Sequence, residues 1–112
     1  MSESKFTPGP WTQDDSHGRR FIERVGTGDT VAIVCKVDGK DGYIAMNANS
    51  ALIAAAPDLL EALIESRQVI ATALKVGAPD WFDSDEKISQ HVTVKKIDAA
   101  IQRATARPMG KE

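Results

Sequence analysis

Hydrophobic and polar positions change rhythm once along the chain, from a period of two to a period near 3.6. In Arg20-Phe21-Ile22-Glu23-Arg24-Val25 the alternation puts Phe21, Glu23 and Val25 on one face and Arg20, Ile22 and Arg24 on the other. The polar turn Asp14-Asp15-Ser16-His17-Gly18 separates this strand, at about 19–25, from a shorter one at about 11–13. Gly26-Thr27-Gly28-Asp29 supplies the positive-φ positions of a hairpin loop. The next run, Thr30 to Val37, is β-branched and almost wholly apolar, with Val31, Ile33, Cys35 and Val37 on one face and Ala32, Val34 and Lys36 on the other. A strand apolar on both faces reads as a central strand. Cys35 is then a small core residue.

Helical spacing begins after the glycine-spaced loop Asp38 to Gly42. Asn49-Ser50 is a capping pair for a short helix Ala51–Ala56, with Ile44 as the earliest possible start. That segment is apolar all round, so it needs cover on more than one side, from neighbouring elements or from a symmetric dimer seam. Pro57 suits the first turn of a second helix, Asp58 and Glu61 favour its positive end, and Gly77 with Pro79 ends it near Val76. Its buried stripe is Leu60, Leu63, Ile64, Ile70, Ala71 and Leu74. A third helix starts from an Asp83/Glu86 capping box, or from Ser84, and runs to about Ala104 on Ile88, Val92, Ile97, Ala100, Ile101 and Ala104. The step from Val92 to Ile97 breaks its period, which predicts a kink near residue 92. The expected fold is α+β: a short antiparallel β-meander of about three strands, then three helices packed on one face. An extended arm spans 1–10, a single domain 11–106, and a frayed tail 107–112.

At 112 residues, 42% hydrophobic and 27% charged, the composition is that of one globular domain. No apolar run reaches the length of a membrane span. The opening Met1 to Phe6 has neither the basic nor the apolar region of a secretory signal, so a cytoplasmic protein is expected. The single cysteine leaves the fold to packing alone. The formal net charge of −2 argues against a protein that coats nucleic acid. The distribution changes that picture, because residues 1–86 sum to −6 and residues 87–112 to +4. Lys87, Lys95, Lys96, Arg103 and Arg107 answer a helix dipole, an acidic neighbour or a phosphate backbone.

Catalytic and metal chemistry find little to work with. His17, His91 and Cys35 are the soft ligands, and their spacing matches no metal motif. The acidic pairs Asp14/Asp15 and Asp83/Asp85 lie in turns or at a helix start, where carboxylates have local work. Gly26-Thr27-Gly28 has no following helix to make a dinucleotide fingerprint, and the 38–42 loop lacks the ligands of a calcium site. No enzyme, cofactor or metal is expected. The aromatics stand out instead. Trp11 plugs one end of the core or lines a pocket, and the Trp81-Phe82 pair anchors a partner or packs back onto the helices.

The opening Thr7-Pro8-Gly9-Pro10-Trp11 and the run NANSALIAAAPDLLEAL over residues 47–63 together resemble a widespread family of small phage and prophage proteins. Its pattern is a TPGPW opening, a variable β-rich stretch, an LIAAAPxLLEAL core and a final helix. The resemblance implies a bacteriophage accessory product acting in the bacterial cytoplasm, and it brings no reaction and no catalytic residues. The expected function is binding without catalysis, by a self-associating protein, with a dimer favoured. Its target is a host or defence protein, or a small signalling nucleotide that it sequesters. The alternative is a nucleic-acid-binding module built on the basic last helix.

Overall fold

The computed structural model describes residues 6–16 and 19–105. The chain groups into two compact units, Met1–Leu59 and Leu60–Glu112.

The first unit holds the sheet. Strands β1 (Trp11–Ser16), β2 (Arg19–Arg24) and β3 (Thr30–Val34) pair antiparallel in the order β1-β2-β3. Gln13 stands opposite Ile22, and Ile22 opposite Ala32. The register slips between Ile22 and Glu23, so Glu23 pairs with Thr30. The β2–β3 turn closes through Arg24 N–H donating to the Asp29 carbonyl at 2.9 Å, with Gly26 at φ 96° and Gly28 at φ 74°. Both positions are in the left-handed region that glycine enters without steric penalty.

This order corrects the expected centre of the sheet. Residues 30–37 were expected to form its inner strand; β3 ends at Val34 and lies at the edge. The reason is connectivity, since two short hairpins in succession leave the second strand in the middle whatever its polarity. Hence β2, with three arginines and a glutamate, supplies the fully buried Ile22 (0% exposed), while Ile33 is 48% exposed. Cys35 falls beyond the strand and is exposed, not a core residue.

Helix α1 (Gly42–Ala54) covers the sheet. It starts nine residues before Ala51, and its first residue explains why. A Cβ on Gly42 would stand 1.8 Å from the Val37 carbonyl oxygen, a place that only glycine tolerates. The expected cap at Asn49-Ser50 lies inside the helix; Ser50 is fully buried and its hydroxyl donates to the Met46 carbonyl at 2.8 Å. That bond satisfies the hydroxyl where water is absent. Ile22, Val34 and Met46 form the core, flanked by Trp11, Ala32 and Ile53. Arg20 reaches the same helix, its Nε donating to Asn47 Oδ1 at 3.1 Å.

The N-terminal arm belongs to this unit. The Gly9–Pro10 peptide is cis, and a Cβ on Gly9 would meet the Pro57 Cβ at 2.7 Å. The Val25 N–H then donates to the Pro10 carbonyl at 3.0 Å, continuing the β1–β2 pairing.

Helix α2 (Ala56–Gly77) follows α1 at once, close to the expected bounds. The second unit holds α2 from Leu60 on, with α3 (Asp85–Ser89) and α4 (Val92–Thr105). The expected third helix is therefore two, broken at Gln90-His91 near the anticipated kink. Ser84 is the cap, its hydroxyl accepting from the Lys87 N–H at 3.3 Å. Ile88, Val94 and Ile97 are buried, whereas Val92 is exposed. The break turns α4 so that Val94 takes the inward place that unbroken periodicity assigns to Val92. Along α2 the expected stripe is half-buried, except for the exposed Ile64.

Candidate functional site

The end of α2 makes the most exposed aromatic. The Ala78 N–H continues the helix by donating to Leu74, and the Ala78 carbonyl then accepts from both Trp81 and Phe82 N–H at 3.0 Å. This tight turn separates the two rings. Phe82 is half-buried and lies 5.8 Å from the His91 ring at 57°. Trp81 is 76% exposed. The pair therefore divides its work: Phe82 packs back onto the helices and Trp81 remains surface.

Beside Trp81 is a cleft of about 410 Å³ lined by Asp80, Phe82, Lys87, Gln90 and His91. His91 Nδ1 accepts from the Thr93 N–H at 3.1 Å, which leaves the proton of the neutral ring on Nε2. Lys87 Nζ lies 3.1 Å from Asp83 Oδ1 in a solvent-exposed pair. With Asp80 added, the cleft carries no surplus of positive charge.

Trp11 takes the other role foreseen for it, as a plug. It is half-buried against the sheet core, its indole N–H donates to the Thr7 carbonyl at 3.2 Å, and Phe6 meets it edge-on at 6.4 Å.

The basic candidates lie on two helices and beyond. Lys87 is on α3 in its ion pair, and Arg107 lies outside the described residues. Lys95, Lys96 and Arg103 are exposed on α4. At 100° per residue these three fall on the helix face opposite Val94 and Ile97. The acid of that helix, Asp98, is engaged elsewhere: Arg67 Nε donates to its Oδ1 at 2.6 Å and Arg67 Nη2 to its Oδ2 at 3.2 Å. Arg67 Nη2 also reaches Ser89 Oγ at 3.3 Å. The hydrogen bond to Asp98 raises the Arg67 pKa above its ordinary value, against a smaller opposing effect of burial. This knot escaped the sequence reading. Its one visible trace is a lone arginine inside the apolar stripe of α2.

Among the described residues no three His, Cys, Asp or Glu side chains gather as a metal site would require, and no helix is long and apolar enough to cross a membrane. His17 lies outside the described residues. No curated protein and no solved structure matches the chain. A family model does, described as Salmonella phage P22 protein Y8K6, over residues 1–108. With nearly its whole length matched, arm, sheet and helices included, the chain belongs to this family of small phage proteins.

Proposed function

We propose that this phage protein acts by binding a host protein in the bacterial cytoplasm, with Trp81 as the anchor, and catalyses nothing itself. The observation that carries this reading is the 76% exposed indole held up by the Ala78 turn beside a shallow, mixed-polarity cleft. A large exposed tryptophan with a polar rim has the make-up of a binding hot spot. The cleft's charge favours a protein over a phosphorylated nucleotide, since Asp80 in the lining and Asp83 beside Lys87 leave no surplus of positive charge. His91 has no serine, threonine or cysteine hydroxyl or thiol beside it in the cleft lining that it would activate.

The test is retention of host proteins by the purified wild-type protein and by Trp81→Ala, with a native mass spectrum of each. A specific host protein bound at defined stoichiometry and lost in the variant supports the reading. Identical retention by both, a bound nucleotide, or measurable turnover defeats it.

The α4 cations favour a second reading, binding of nucleic acid, because Asp98 is turned to Arg67 and leaves Lys95, Lys96 and Arg103 without a carboxylate on their face. Such binding weakens steeply with salt as counterions are released. Filter binding at two salt concentrations, repeated with Lys96→Glu, decides it.

A further inference from the structure

The second unit has an apolar surface that the Trp81 reading does not use. On α2 the positions Ala62, Ser66, Val69, Ala73 and Val76 recur at intervals of four, three, four and three, and all are exposed, Val69 by 68% and Val76 by 76%. Gln68, Val69, Thr72, Ala73 and Val76 line a long groove along it. A 4-3-4-3 repeat is the spacing at which one helix meets another along its length. The half-buried stripe Leu63, Arg67, Ile70 and Leu74 has the same spacing one position on, and faces its own unit. The helix thus carries two seams, of which one is in use.

We propose that the exposed seam of α2 binds the α2 of a second copy of this chain, antiparallel, with the twofold axis near Val69. A helical occupant is required by the repeat, and a second copy presents the same repeat. Alanine at 62 and 73 and serine at 66 let two backbones approach closely, and in this pairing Ala62 lies beside Val76 of the second copy. Charge sets the direction. Glu61 and Glu65 occupy the first half of the seam's polar edge and Lys75 the last turn, where it meets Asp85 only in a solvent-exposed pair. Antiparallel copies put each acidic half beside the other's basic end and oppose the helix dipoles; parallel copies bring the acids together.

The experiment is native mass and sedimentation of the full chain from about 1 to 200 µM, with Val69→Glu and Ala73→Glu as variants. Both sites are exposed, so helicity by circular dichroism is expected to match wild type. A wild-type dimer that each variant weakens at least tenfold supports the seam. A wild-type protein that remains monomeric throughout, or a dimer indifferent to both variants, overturns it. Direction is read separately by mixing Ala62→Cys and Val76→Cys proteins, each carrying Cys35→Ser. Antiparallel helices give the mixed disulfide, and self-linked Ala62→Cys pairs in its place overturn the stated geometry.

Discussion

Gly9 lies against Pro57 so closely that a Cβ built on the glycine would stand 2.7 Å from the proline Cβ and 3.1 Å from its Cγ. The two residues are 48 apart in sequence. They belong to the TPGPW opening and the LIAAAPxLLEAL run, so these two motifs form a single packed joint in the folded chain. Trp11, from the first segment, and Ile53 and Ala54, from the second, each pack against the core of Ile22, Val34 and Met46.

Gly9→Ala is therefore expected to destabilise the protein by about 1–3 kcal/mol, the usual cost of forcing atoms into a packed site. Gly77, at the end of α2, has nothing within 4 Å of its added Cβ. Gly77→Ala is expected to leave stability unchanged or raise it by up to about 1 kcal/mol. Urea denaturation of the two variants beside wild type tests the contrast.

The sheet order separates two isoleucines that look alike in sequence. Ile22→Ala empties a fully buried place and is expected to cost about 2–5 kcal/mol. Ile33→Ala, on the exposed side of an edge strand, is expected to cost under about 1 kcal/mol. Equal losses in thermal or urea melts would contradict the strand order.

Arg67 and Asp98 tie α2 to α4 in a two-pronged pair, each about a third exposed to solvent. A double-mutant cycle with Arg67→Met and Asp98→Asn is expected to give a coupling of about 0.5–1 kcal/mol, near the top of the range for exposed ion pairs because of the paired geometry. The sign of the pH effect follows from the raised Arg67 pKa. A cation whose pKa is higher folded than unfolded contributes fully below the unfolded value and loses that contribution only as pH rises past it. For arginine that lies beyond the working range, so the destabilisation by Arg67→Met is expected to be the same at pH 7 and pH 9.

Cys35 is exposed just past β3. The native protein is expected to react with one equivalent of a thiol-specific disulfide reagent without denaturant. A thiol that reacts only in urea would place Cys35 back inside.

The helices were largely legible from residue order because capping, termination and apolar spacing are local. Pro57, Gly77 and Ser84 mark ends that the fold uses, and the uneven step after Val92 announced the break at Gln90-His91. The sheet was less legible. Apolarity of Thr30 to Val37 suggested burial, but position in a meander is decided by the order of hairpins, which placed the more polar β2 inside. The start of α1 was missed because Gly42 reads as a loop residue, while its fit under Val37 depends on the folded chain. At the candidate site, the aromatic pair was visible, but its division into an inward Phe82 and an outward Trp81 depends on the Ala78 turn. The Arg67–Asp98 knot joins positions 31 apart, and the lone arginine in the stripe of α2 does not name its partner.

Gly42 has a bearing on how freely this protein can diverge. Its missing side chain is where the Val37 carbonyl oxygen sits, and the Val37 N–H donates to the Gly42 carbonyl at 3.4 Å. Lys40, two residues before it, is exposed. A saturation library at this one codon, selected for soluble expression, would return glycine and little else, while the same library at Lys40 would return almost anything.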